Sequence, residues 1–208
     1  MNYTQHWNTA YNARETEDLG WYEENSTPTL ELIAATNLPK SAKIVNVGVG
    51  ASTLIDDLLA QNYTNLIASD LSSDSLELLK NRIGKQAKKV TFIVDDLLDA
   101  TKLNLLTEVD LWNDRAVLHF FTKQEDQKKY FDLLRKVVKS NGFVLLAEFA
   151  LNGAEKCCNL DVFRYNSDML QERLGDEFEL KESFDYTFKN PRGDDRPYVY
   201  TLFQRKNK

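Results

Sequence analysis

Short apolar runs alternate with helical stretches over much of this chain, and few folds accommodate that alternation. Lys43 to Gly48 reads as a buried strand, followed by a helix from about Ala51 to Gln61 in which Leu54, Ile55, Leu58 and Leu59 share a face. Asn65 to Asp70 forms a second strand, and Ser72 or Ser73 caps a helix with Leu76, Leu79 and Ile83 inward. Val90 to Val94 is a third strand, and Val109 to Trp112 a fourth that runs into Asn113-Asp114-Arg115. A helix from about Lys123 to Lys139 stops at an αL-type cap at Asn141-Gly142, ahead of a fifth strand from Phe143 to Glu148. Strands that each return through a helix predict a parallel sheet covered on both faces. After Ala150 come a loop, a helix at about Ser167 to Leu174, and two alternating stretches, Phe178 to Phe188 and Tyr198 to Arg205, around Asn190-Pro191-Arg192-Gly193. That pattern predicts a hairpin adding antiparallel strands at one side.

At 208 residues the chain suits one domain with its own core. A net charge of −6 disfavours a broad basic face for nucleic acid, and no apolar run approaches the roughly 20 residues that span a bilayer. No secretory leader is visible at the N-terminus, and Cys157 and Cys158 are adjacent. Neighbouring cysteines cannot staple distant segments, and two free thiols suit a reducing, cytoplasmic setting. No metal-ligand spacing is present, so no metal is expected.

Gly48-Val49-Gly50 stands where the first strand turns into the first helix. Glycines there permit a tight turn and a close approach of backbone to a ligand. Asp70 ends the second strand 20 residues past Gly50, where a carboxylate in this topology can accept both hydrogen bonds of a ribose diol. The third small residue of the dinucleotide fingerprint is replaced by Thr53, which opposes an NAD-linked enzyme and leaves it a third, weaker reading, and no GK[ST] follows, which excludes a P-loop.

These residues resemble the class I S-adenosylmethionine-dependent methyltransferases, nearly from end to end. Val45 to Gly50 is similar to the family's first motif, Asp70 (followed by Leu71) to its second, and Val94-Asp95-Asp96-Leu97 to its third. Trp112 to Phe120 resembles a narrower bacterial group that shares D-[KR]-[AG] after strand four with thiopurine and protein-lysine methyltransferases. The resemblance implies an α/β, Rossmann-like, doubly wound and mostly parallel seven-stranded sheet with an antiparallel C-terminal hairpin strand. It implies one domain over residues 1–208: a helical cover (1–40), a cofactor-binding core (41–150), and an acceptor-side loop, helix and hairpin (151–208). It implies S-adenosyl-L-methionine as cofactor, held by Trp21, Tyr22, Asn46, Gly48, Val49, Gly50, Asp70, Leu71, Asp96, Leu97 and Asn113. Asn46 stands where the family usually has an acid, so the cofactor's ammonium loses a charged partner, a cost of about 1 kcal/mol. Glu23 or Glu24 of the cover could supply that charge instead.

Methyl transfer is an in-line displacement in which the protein aligns the groups and excludes water. Asp114, Arg115 and His119 are the catalytic candidates, with Glu148 beside them. Trp21, Tyr22 and the loop from Ala150 to Tyr165 form a lid, Arg164-Tyr165 line an acceptor pocket, and Cys157-Cys158 have no catalytic part. The acceptor is a small molecule or a protein side chain, with no nucleic acid or membrane partner. The alternative is a non-catalytic S-adenosylmethionine-binding sensor or scaffold.

Overall fold

In a computed structural model, which describes residues 2–23, 25–50 and 52–207, one seven-stranded sheet organises the chain. Its strands are β1 (Lys43–Val47), β2 (Asn65–Asp70), β3 (Val90–Val94), β4 (Val109–Arg115), β5 (Val138–Phe149), β8 (Phe178–Lys189) and β9 (Asp195–Arg205), in the order β3-β2-β1-β4-β5-β9-β8. The first five are mutually parallel; β9 runs antiparallel to β5, and β8 antiparallel to β9. The helices are α1 (Tyr3–Asn12), α2 (Thr27–Ala35), α3 (Leu54–Ala60), α4 (Ser73–Ile83), α5 (Gln124–Val137) and α6 (Ser167–Leu174).

The sheet is buried on both faces because its central strands carry apolar residues toward both sides, with polar Asn46, Ser69, Asn113 and Asp114 gathered near their carboxyl ends. Ile44 of β1 packs with Leu32, Leu58 and Leu79 of α2, α3 and α4, while Val45 and Val47 pack on the other face with Tyr130 and Leu134 of α5 and Leu170 of α6. Among the described residues no helix is long and apolar enough to cross a membrane.

Ser72 is the cap of α4, its hydroxyl accepting from the Ser75 amide at 3.1 Å. Four local expectations change. α3 begins at Leu54, later than expected, and Ala51 lies outside the described residues. Strands β3 and β4 are joined through a single 3-10 turn, Leu103–Leu105, with no α-helix. Asn141-Gly142 does not cap α5: the helix ends at Val137, and Val138 is already extended because it pairs with Val109. Asn141 (φ 61°) and Gly142 instead lie inside β5, where the pairing with β4 shifts register, and a Cβ on Gly142 would press on the Lys139 and Val109 carbonyls. The cysteine segment is a small hairpin, β6 (Lys156–Cys157) and β7 (Leu160–Asp161), where a loop was expected.

Candidate active site

Strand order reverses at β1, which has β2 on one side and β4 on the other, and ligands of such sheets bind outside the carboxyl ends of the strands at that point. A cavity of about 180 Å³ opens there. Pairing sets its floor: Asn46 lies beside Asn113 and Val47 beside Asp114, with Ala68 and Ser69 on the other flank. Gly48 and Gly50 have φ near +54° and +52°, a region that only glycine enters cheaply. A Cβ on Gly48 would collide with the Val117 side chain, and one on Gly50 with the Tyr11 hydroxyl. Ala116 also holds φ 68°, so the backbone leaving β4 is strained where it borders the cavity.

All eleven expected cofactor residues, Trp21, Tyr22, Asn46, Gly48, Val49, Gly50, Asp70, Leu71, Asp96, Leu97 and Asn113, line this one crevice. Asp70 accepts from the Gly50 amide at 2.8 Å and, through its other oxygen, from the Ser72 amide at 2.8 Å, tying the glycine loop to the end of β2. Burial pushes its carboxyl up to about 6 against the pull of those amides. The neighbouring acids Asp95 and Asp96 divide the work. Asp95 is consumed by the Thr101, Lys102 and Leu103 amides, which hold its carboxyl below the usual range despite partial burial. Asp96 accepts only from the Leu98 amide through Oδ1 among the described hydrogen bonds, so it keeps acceptor capacity toward the crevice.

Of the catalytic candidates, Arg115 alone lines the crevice. Its guanidinium sits 3.1 Å from Glu23 and about 5.0 Å from the Phe188 and Tyr198 rings. Asp114 and His119 lie behind the wall and are fully buried. Asp114 accepts from the Val117 and Leu118 amides at 3.0 and 3.2 Å and from the Tyr130 hydroxyl at 2.6 Å. Burial raises its carboxyl well above the aspartate range, with the Glu148 carboxylate adding to the effect. His119 stacks on Phe149, with Nδ1 3.0 Å from Glu148. Neither Arg164 nor Tyr165 lines the crevice: Tyr165 is fully buried beneath α6, and Arg164 turns to the Gly153 carbonyl and Glu155.

Sequence reasoning named Trp21 and Tyr22 but missed Trp7 and Tyr11, which stand four apart on α1 and close the same aromatic cover. Trp7 meets Trp21 and Phe120 edge-on at 5.9 and 5.0 Å, and Tyr11 meets Trp21 at 5.5 Å. The i, i+4 aromatic spacing was the available signal.

Among the described residues, five buried polar atoms on crevice residues lack a partner: Glu23 Oε1, Ser26 Oγ, Arg115 Nη2, Asn46 Nδ2 and Asn113 Oδ1. The amides of Asn113 and Asn46 bond each other at 3.0 Å. Turning both amides over would still leave one free donor and one free acceptor. Beside the Ser26 hydroxyl, the other four are two donors and two acceptors, one of each charged, which complement the ammonium and carboxylate of an amino acid.

Residues 44–142 match the family model described as a methyltransferase domain. The chain is 23% identical over 188 residues to EEF1A lysine methyltransferase 2 of Danio rerio, covering 81% of this chain and 76% of that one. In fold it is similar to an S-adenosylmethionine-dependent methyltransferase of Anabaena variabilis (TM-score 0.77, 15% identity, 98% of this chain and 93% of the other). It is also similar to the N-methyltransferase NodS of Bradyrhizobium japonicum, solved with S-adenosyl-L-homocysteine (TM-score 0.68, 12% identity, 89% and 90%). Switch-point crevice, glycine turn and strand-end aspartate agree with the family match: residues 44–142 match a methyltransferase domain, and the chain has the fold of S-adenosylmethionine-dependent methyltransferases.

Proposed function

We propose that the crevice holds S-adenosylmethionine with its ribose diol on Asp70, its adenine against Asp96 and Leu97, and its amino-acid tail toward Asn46, Asn113, Glu23 and Arg115, and that the methyl passes to a small molecule or a protein side chain. When bound, this cofactor supplies a methyl group already activated on a sulfonium. The observation that carries the reading is the unpartnered polar atoms of Glu23, Arg115, Asn46 and Asn113 on the crevice, which fit the tail, together with Asp70 at the strand end. Glu23 supplies the negative charge that Asn46 lacks. Its Oε2 pairs with Arg115 while Oε1 stays free, and burial raises its carboxyl against the pull of that guanidinium.

The chain's own residues then have three tasks. Trp7, Tyr11, Trp21 and Phe120 exclude water, which leaves an in-line displacement without competing hydrolysis. Arg115, the one candidate on the crevice wall, orients the tail and borders the acceptor side. Asp114 is a positioning residue: by fixing the Val117 and Leu118 amides it holds the strained turn at Ala116 that shapes the wall. His119 supports the same turn from behind through Glu148.

Turnover is tested by release of S-adenosylhomocysteine across a panel of amines, thiols, carboxylates and lysine peptides. Product with one class supports an enzyme; cofactor binding with no product from any of them would favour the sensor alternative. Glu23→Gln is expected to weaken S-adenosylmethionine by about tenfold, the worth of one charge-assisted hydrogen bond, and to leave adenosine affinity unchanged because adenosine has no tail. An equal loss for both ligands in calorimetry would place the tail elsewhere.

A further inference from the structure

The methyl-transfer site does not use Cys157 and Cys158, yet the fold gives them a specific setting. Cys157 ends β6, and the turn that follows is held with positive φ at Cys158 (51°) and Asn159 (64°). Both thiols are free, half-buried, and 3.9 Å apart sulfur to sulfur. They line a surface recess together with Lys156, Arg192 and Arg196, three cationic side chains. Beneath them lies His119, whose ring is fixed by stacking on Phe149 at 4.7 Å and by Glu148 at Nδ1. Its Nε2 has no hydrogen-bond partner among the described residues, and the Cys157 thiol lies near enough to the imidazole for each to shift the other's titration.

A nucleophile beside a base that a third group orients is the arrangement that activates a cysteine. A second thiol within 4 Å is a resolving group. We infer that Cys157 and Cys158 form a peroxide-reactive dithiol that closes reversibly to a vicinal disulfide, with His119, oriented by Glu148, as the proton acceptor for Cys157.

The charges support the geometry. The neighbouring Cys158 thiol and then His119 bring Cys157 down against burial, while Cys157 and Glu148 raise His119, also against burial. The cationic rim favours the thiolate as well.

The electron balance closes with hydrogen peroxide as the named oxidant. The Cys157 thiol passes its proton to His119, and the thiolate attacks one peroxide oxygen. The O–O bond breaks, and the departing hydroxide takes the proton from the imidazolium, leaving Cys157 as a sulfenic acid and one water. Cys158 sulfur then attacks the sulfenic sulfur; the S–O bond breaks, the S–S bond forms, and a second water leaves with the Cys158 proton. Two electrons have moved from the dithiol to the peroxide. Adjacent Cα atoms are about 3.8 Å apart, shorter than the usual span of a disulfide, so the ring is strained and readily reduced by a dithiol.

The test is intact-mass analysis of the full chain after brief hydrogen peroxide treatment, with thiol alkylation as a second readout; neither depends on methyl transfer. The expected result is the loss of two hydrogen atoms, protection of both cysteines from alkylation, and full recovery with dithiothreitol. Cys158→Ser is expected to stop at a sulfenic acid on Cys157 that dimedone traps. Cys157→Ser should stay unreacted on the same timescale. In the Cys158→Ser background, His119→Gln should slow dimedone labelling by about tenfold, the low side of what a positioned base contributes. Both thiols remaining alkylatable, a disulfide-linked dimer, or equal reactivity of the two serine variants would each overturn the inference.

Discussion

Asp70→Ala is expected to reduce S-adenosylmethionine affinity by more than about 100-fold, to the limit of calorimetric detection. A carboxylate that accepts two ribose hydroxyls contributes about 1.5–3 kcal/mol per hydrogen bond, and every 1.4 kcal/mol is tenfold in Kd. The same substitution releases the Gly50 amide at the tip of the glycine loop and the Ser72 amide at the start of α4, so preorganisation is lost with the contact. Affinity also depends on pH in a defined direction. Burial raises Asp70 to about 6 in the free protein, and the ribose diol donates to the ionised form. Affinity is therefore level above about pH 7 and falls as pH drops through 6, approaching tenfold per unit. The sign for folding is the reverse. A carboxyl raised on folding binds more protons in the native state, so its contribution to stability is lost as pH rises from the ordinary aspartate range to about 6. Flat affinity from pH 7 to 5 would remove Asp70 from the ribose.

Asp114→Ala is expected to act on stability, costing about 3 kcal/mol or more. It strips the acceptor from the buried Tyr130 hydroxyl and from the Val117 and Leu118 amides, and each donor left buried without a partner costs about 1–3 kcal/mol. The Trp112 indole, which donates to the Tyr130 oxygen at 3.0 Å, belongs to the same buried network. For a domain of this size that loss lowers the melting temperature by roughly 6–12 °C, measured by calorimetry or circular dichroism. Asp114→Asn keeps the shape and one acceptor, so its turnover should stay within about tenfold of the parent. A general base would be worth about 10²–10⁴-fold, and a loss of that size at unchanged melting temperature would make Asp114 catalytic after all.

What the sequence disclosed follows from which signals are local. The strand–glycine–helix unit and Asp70 were legible because β1 and β2 carry short apolar runs, Ile44-Val45 and Leu66-Ile67-Ala68, and because a turn at positive φ selects glycine at Gly48 and Gly50. The hairpin of β8 and β9 was legible from alternation around Asn190 to Gly193. The end of α5 was not. Asn141-Gly142 carries a helix-cap signature, but the pairing of Val138 with Val109 is a long-range contact and overrides it. Side-chain roles were harder still. Asp114 and Arg115 are neighbours in β4 whose side chains alternate across the sheet, so one enters the core and the other the crevice. The pairing of Glu23 with Arg115 spans the chain from the cover to β4, and only the packed structure brings them to 3.1 Å.

The central claim is tested most directly by a crystal structure grown with S-adenosylhomocysteine. The account predicts both ribose hydroxyls within about 2.5–3.0 Å of the Asp70 carboxylate, with the amino-acid tail reaching the free oxygen of Glu23 and the free nitrogen of Arg115. Tyr11 and Trp7 closed over a ligand-free glycine turn, or the nucleoside bound away from the end of β2, would contradict it.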